Sequence, residues 1–293
     1  IGWVGRLNIS GGTRGEGNFS GNINYRNKKF TYNQTIGLGA SQLIGNSYNN
    51  RTNLYTDSSN RLFSTSNYTN TNTRPNIRSQ IDYELSKSHL IGLVYQGNMN
   101  YFNNVSNNSF TNFNRFNEAY RISNRENRSA GDGYTHSVQG SYIYKAPKNL
   151  AEQLRFFISA NTSKNDNDRD FYQQFLNAGM VPTGIDSTQT QYFNNYNKSI
   201  TTRVEYIKPL KLKNSQFTTG STYYSSWFHN TLNTNFLRKS DGVMIPNDLL
   251  SNDFYFKQQI FTVRAGFSLW FKKDIRLSFG AQAEQTILAF DFV

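Results

Sequence analysis

The chain has 293 residues, of which only 36% are hydrophobic and 15% aromatic, with a formal net charge of +12 and a mean hydropathy of −0.68. Asn, Ser and Thr dominate, and the apolar residues are disproportionately Phe (23) and Tyr (19), unlike the Leu/Ile/Val-rich composition of a soluble domain of this length. The lack of cysteine excludes a disulfide framework and, with three histidines, argues against zinc, thiol-nucleophile and iron–sulfur chemistry.

No run approaches the roughly 18 apolar residues of a transmembrane helix, but strands of about ten alternating residues can also cross a bilayer. Period-two alternation predicts strands over 2–12, 17–26, 30–43, 76–85, 90–101, 134–145, 154–161, 199–207, 216–228, 254–271 and 275–290. In "NIRSQIDYEL", Ile77, Ile81, Tyr83 and Leu85 share one side while Arg78, Gln80, Asp82 and Glu84 share the other. "LRFFISAN" sets Leu154, Phe156, Ile158 and Ala160 against Arg155 and Ser159, and "SITTRVEY" sets Ile200, Val204 and Tyr206 against Arg203 and Glu205. The last long hairpin sets Phe261, Val263, Ala265, Phe267, Leu269 and Phe271 against Arg264, then Ile275, Leu277, Phe279 and Ala281 against Arg276 and Gln282.

Between these strands, lysine-rich hinges recur around Lys28, Lys87, Lys148, Lys211 and Lys273, roughly 60 residues apart, a spacing that points to a repeated architecture. The other connections, 44–75, 103–133, 163–198 and 229–253, are polar and long, and are expected to be loops. Long strands, aromatics near strand ends (Phe30, Tyr32, Tyr142, Tyr144, Trp227, Trp270 and Phe271) and alternating short and long connections favour an outer-membrane β-barrel over a soluble sandwich. The expectation is an all-β antiparallel up-and-down meander of about eleven strands, a single barrel region over 1–293. Bacterial single-chain barrels usually have an even strand number, so either the true number differs by one from eleven or the chain stops partway round a larger barrel. "IGWVGRLNIS" has no basic region followed by an apolar stretch, and no signal peptide is expected there.

The stretch "GWVGRLNISGGTRGEGNFSGNINYRNKKF" resembles the first barrel strands after the plug in TonB-dependent receptors and related outer-membrane β-barrel proteins of the Bacteroidetes type. "GNINYRNKKFTYN" followed by "IDYELSKSHLIGLVYQGNMN" is similar to their strand, Asn/Lys turn, strand pattern over most of the chain. The resemblance implies a transport wall embedded in outer-membrane lipid, the energy-coupling TonB system and a plug domain as partners, an unidentified solute, and a surface lipoprotein as a further partner. No plug sequence is present in the chain, and it ends in Val293 where a complete barrel usually ends in an aromatic, so the N-terminal half of a barrel of about 22 strands is expected.

For the interior, the sequence nominates Arg78, Asp82, Glu84, Arg155, Arg203, Glu205, Arg264, Arg276 and Glu284 as lumen-facing polar residues, either lining a solute path or simply pairing in a wet barrel. Asp166, Asp168 and Asp170 in "NDNDRD" have calcium-loop spacing but lack the glycine and closing glutamate of an EF-hand, so a solvated acidic loop is the simpler reading. Phe110, Phe113, Phe116 and Tyr120 recur at helical spacing, suiting either a short helix packed into the barrel mouth or an aromatic platform for a sugar. His89, His136 and His229 are not grouped, no catalytic constellation stands out and no cofactor is implied, so an enzyme is not expected. The lysines gather at hinges without a basic arm or nucleic-acid motif, which argues against DNA or RNA despite a pI of about 9.7. Two further readings remain, a secreted Asn/Thr-rich β-sandwich adhesin or glycan-binding protein and a small self-contained porin.

Overall fold

Alternation of the kind read above gives strands wherever one side chain in two can be shielded, and the structure carries this out on a larger scale. The computed structural model describes residues 2–13, 15–54, 59–272 and 275–292. The fifth lysine hinge, around Lys273, and Val293 lie outside the described residues. The strands are β1 (Gly2–Gly12), β2 (Glu16–Arg26), β3 (Phe30–Leu54), β4 (Ser59–Ser86), β5 (His89–Phe113), β6 (Ala119–Ala146), β7 (Asn149–Leu176), β8 (Pro182–Pro209), β9 (Gln216–Arg238), β10 (Val243–Pro246), β11 (Asn252–Lys272) and β12 (Ile275–Phe292). They form one sheet in the order β1 to β9, then β11 and β12, with β10 a short flap on β9. Every pairing is antiparallel. The described sheet is open, with β1 and β12 at its edges.

Most of the described residues in the stretches expected to be long loops are strand instead, joined by short turns. The ladder between β3 and β4 continues from Phe30↔Tyr83 to Leu54↔Ser59, and β6, β7 and β8 each run 28 residues. At about 3.3 Å per residue such a strand is roughly 90 Å long, whereas crossing a bilayer takes about 10 residues. In the distal half apolar side chains no longer keep to one side, so hydrophobic alternation disappears while backbone pairing does not. Cross-strand hydrogen bonds such as Ser109 to Asn124 (2.7 Å), Ser129 to Asn167 (2.8 Å) and Gln173 to Ser123 (3.0 Å) replace apolar contacts there.

Because directly paired residues point to the same side, the register sorts the proximal half into two faces. One cross-strand row reads Tyr83, Ile91, Tyr142, Phe156, Val204, Ser221, Val263 and Ala283, and defines an aliphatic face. The row one residue earlier on β4 reads Asp82, Gly92, Ser141, Phe157, Arg203, Thr222, Thr262 and Glu284 on the opposite, mainly polar face. Beyond the proximal ten or so residues this division lapses. Lys164, Asp166, Asp168 and Asp170 continue the aliphatic face of β7, while Phe102, Phe171, Phe193, Phe228 and Phe254 continue the polar one. A side chain needs to be apolar where it meets lipid, and loses that requirement once the strand leaves the membrane.

Turns close both rims tightly. At the lysine end they span 27–29, 87–88, 147–148 and 210–215. At the distal end the turns after Phe113 and Leu176 share one design: the Asn114 side chain accepts from the Phe116 and Glu118 amides, Asn177 accepts from Gly179 and Val181, and Asn117 and Met180 adopt positive φ (62° and 63°).

Candidate functional site

The polar face gathers the charged side chains that the sequence singled out. The register places Arg78, Asp82, Glu84, Arg155, Arg203, Glu205, Arg264, Arg276 and Glu284 on this one face. At its centre is a three-residue ladder. Arg155 stands opposite Glu205, Glu205 opposite Gly220, and Gly220 opposite Arg264. With no side chain on Gly220, Glu205 reaches across β9: Arg264 donates to it at 2.7 Å and Arg155 lies 3.6 Å away. A Cβ on Gly220 would come within 2.5 Å of the Val204 carbonyl oxygen, so the close strand approach depends on glycine here.

The other members act locally. Gln80 donates to Asp82 (2.8 Å), Thr262 to Glu284 (3.3 Å) and Arg276 to Ser268 (2.9 Å). Among the described residues Arg203 forms no ion pair.

Just beyond the aliphatic band, the polar face opens into a groove of about 710 Å³ that the sequence reading missed. Arg74, Asn98, Asn100, Thr135, Asn165 and Asn195 line it, with Gly133 in its wall. Its origin is local. The β4–β5 ladder passes from Thr73↔Tyr101 to Asn76↔Asn98 without pairing residues 74 and 75, because Pro75 has no amide hydrogen to donate. Arg74 turns to donate to Asn100 instead (3.1 Å). The signal for this site was present in "QGNMN", where Asn98 and Asn100 recur at period two, but in an Asn-rich chain that spacing does not stand out.

The remaining nominations separate. Phe30, Tyr32, Tyr142, Tyr144 and Trp227 lie on the aliphatic face, whereas Trp270 pairs with Arg276 on the polar face and carries that guanidinium 5.7 Å from its ring centre. Phe271 sits at the irregularity that ends β11. Phe110 and Phe113 end β5 on opposite sides, Phe116 is in the turn and 68% exposed, and Tyr120 begins β6. Their helical spacing therefore comes from strand, turn and strand, and the four rings form neither a helix nor a shared platform. Arg61 lies over Phe113 at 4.3 Å and Arg115 over Phe116 at 4.6 Å.

Asp166, Asp168 and Asp170 lie on strand β7 rather than in a loop. Lys164, Asn194 and Tyr192 already occupy the Asp166 oxygens. Among the described residues no group of three or more acidic, His or Cys side chains could hold a metal. The histidines stay apart: His89 meets the Tyr142 hydroxyl (2.7 Å), His136 that of Tyr95 (2.9 Å), and His229 stacks on Tyr255 at 3.9 Å. The last pair belongs to a second groove, of about 610 Å³, lined on the aliphatic-face side by Tyr196, Lys198, Trp227 and Lys257.

A comparison with known families matches residues 145–293 to the outer membrane protein beta-barrel family. The chain belongs to this family. Its matched part runs from the end of β6 to β12 and includes the Arg155–Glu205–Arg264 ladder. Membership places the protein in the bacterial outer membrane and makes the aliphatic band its lipid-facing wall, crossed by strands; among the described residues no helix is long and apolar enough to cross. No curated protein matches the chain.

Proposed function

We propose that this outer-membrane barrel wall serves solute uptake of the TonB-dependent-receptor type, with passage and not catalysis as its role. The observation that carries the reading is the asparagine- and arginine-lined groove on the face opposite the lipid band, on β4 to β8 and further out than the charge ladder along β7 and β8. Amide side chains offer both donors and acceptors, and Arg74 adds a fixed positive fork, so the groove suits a polar, hydrogen-bonding solute. Phenylalanines further out on the same face provide flat apolar surface at the entrance. In this scheme the polar face is the barrel lumen, the distal ribbons capture the solute, and a plug moved by an energy-coupling partner admits it. A surface lipoprotein over the distal rim fits the same arrangement.

The test is uptake by cells producing the full-length protein, across a panel of polar solutes, with and without an uncoupler. Uptake that stops with the uncoupler and weakens on Asn100→Leu supports the reading. A steady open conductance in planar bilayers would instead assign a passive pore, and a cooperative fold in detergent-free buffer would return the glycan-binding alternative.

A further inference from the structure

The two rims of the sheet differ sharply in charge. The described turns of one rim carry Lys28, Lys29, Lys87, Lys148, Lys211 and Lys213 and no acidic residue, a charge of +6. The described turns of the other rim carry Arg115 and Lys239 against Glu118, Asp241 and Asp248, which is 2 − 3 = −1. Lys239 is itself paired with Asp186, whereas none of the six lysines forms an ion pair among the described residues. Simple solvation of tight turns does not explain the difference, because both rims are closed by turns of similar length and only one is cationic.

The lysines also sit at a definite depth. On the lipid-facing side the nearest rings form a chain, Trp3 to Tyr25 (4.6 Å), Tyr25 to Phe30 (6.1 Å) and Phe30 to Tyr83 (6.5 Å), and Phe30 directly follows Lys29. Aromatic girdles mark the level where hydrocarbon gives way to headgroups. An ammonium on a four-carbon stem, starting one residue outside that girdle, reaches the plane of the lipid phosphates.

We propose that the lysine rim is a docking surface for the phosphates of anionic phospholipids in the leaflet on its side of the membrane. The partner is a lipid surface: six unpaired cations at headgroup depth, spread along four successive turns, fit many phosphodiesters in a plane better than one discrete anion. Each lysine near such a surface shifts partition by about fivefold, so even incomplete engagement concentrates anionic lipid around the rim several-fold.

The reporter is Trp3, 66% exposed beside the rim, with Trp227, paired with Lys198 and Lys257 away from the rim, as the reference that rim substitutions must leave unchanged. The full-length protein, with Trp3 or Trp227 retained and the chain's other two tryptophans replaced by Phe, is reconstituted in phosphatidylcholine vesicles. These contain equal small fractions of brominated phosphatidylglycerol or brominated phosphatidylcholine. Several-fold stronger quenching of Trp3 by the brominated phosphatidylglycerol is expected, and the Trp227 ratio, set by Lys198 and Lys257, should not change when the rim lysines are substituted. The enrichment should vanish in about 0.5 M salt and in the variant carrying Lys→Gln at all six positions. Should that variant not fold, K28Q/K29Q alone, at the turn beside Trp3 and with folding checked by heat-dependent gel mobility, must lower the enrichment by a smaller amount. Equal quenching by the two lipids, or enrichment that survives the substitutions, overturns the proposal. So does loss of enrichment on adding inorganic phosphate at constant ionic strength, which assigns the rim to free anions. A rim that ignores lipid but binds a polyglutamate peptide would be a protein-docking surface, and the proposal would fail.

Discussion

Replacing Glu205 by Gln tests the charge ladder most directly, because this single carboxylate holds two arginines on different strands. Its side chain is 17% exposed, while those of Arg155 and Arg264 are 46% and 48% exposed. Half-exposed ion pairs contribute about 0.5–1 kcal/mol each, so losing both costs about 1–2 kcal/mol. The remaining guanidiniums then face one another across Gly220, which adds repulsion that salt should relieve. The assay is urea unfolding in lipid vesicles, followed by tryptophan emission and gel mobility, for the parent, E205Q, R264Q and the double variant. The cycle should yield a coupling of about 0.5–1 kcal/mol that shrinks in about 0.5 M salt. A side chain at position 220 should break the same ladder without removing a charge, so Gly220→Ala is expected to match or exceed E205Q. A salt-insensitive E205Q of unchanged stability, or a neutral Gly220→Ala, would refute the reasoning.

Ala265→Arg, on the lipid side of β11, should cost about 2–4 kcal/mol and depress folding yield into vesicles, although the native Arg264 next to it on the other face is tolerated. Met180→Gly should stabilise the distal β7–β8 turn by about 1 kcal/mol, because a non-glycine residue at φ 63° is strained; slower amide exchange at Asn177 to Val181 would register it. Hydrogen bonding from Arg238 holds the Asp241 carboxyl below its ordinary range, and Lys239 does the same for Asp186. A depressed carboxylate stabilises above its unfolded pKa of about 3.9 and loses that contribution as pH falls through the folded value, so the β9–β10 flap should be intact at pH 7 and exchange faster near pH 3. Asn100→Leu should reduce affinity for a polar solute without changing stability beyond about 1 kcal/mol, measured by equilibrium binding alongside urea titration.

Much of the proximal half was legible because lipid on one side and water on the other impose strict alternation. The strands proposed at 2–12, 76–85 and 216–228 all lie within observed strands, and the short hinges at Lys28, Lys87, Lys148 and Lys211 are the observed turns. Beyond the bilayer that constraint lapses, so 44–75 and 163–198 read as loops although 44–54 pairs with 59–69 and most of 163–176 with 182–197. The same polar monotony concealed the groove, whose asparagines look no different in sequence from many others.

By itself the sequence determined which side chains share a face in the membrane-crossing part, since period two assigns Arg155 and Glu205 to one side and Phe156 and Val204 to the other whatever their partners. Which residues then meet was decided by register alone. Only the tertiary structure brings Glu205 against Arg264 through a gap at Gly220, pairs Trp270 with Arg276, and opens a groove where Pro75 interrupts the ladder. The physical reason is that alternation is a property of one strand, whereas contact across strands depends on a pairing offset that depends on turns and hydrogen-bonding gaps distant in the chain.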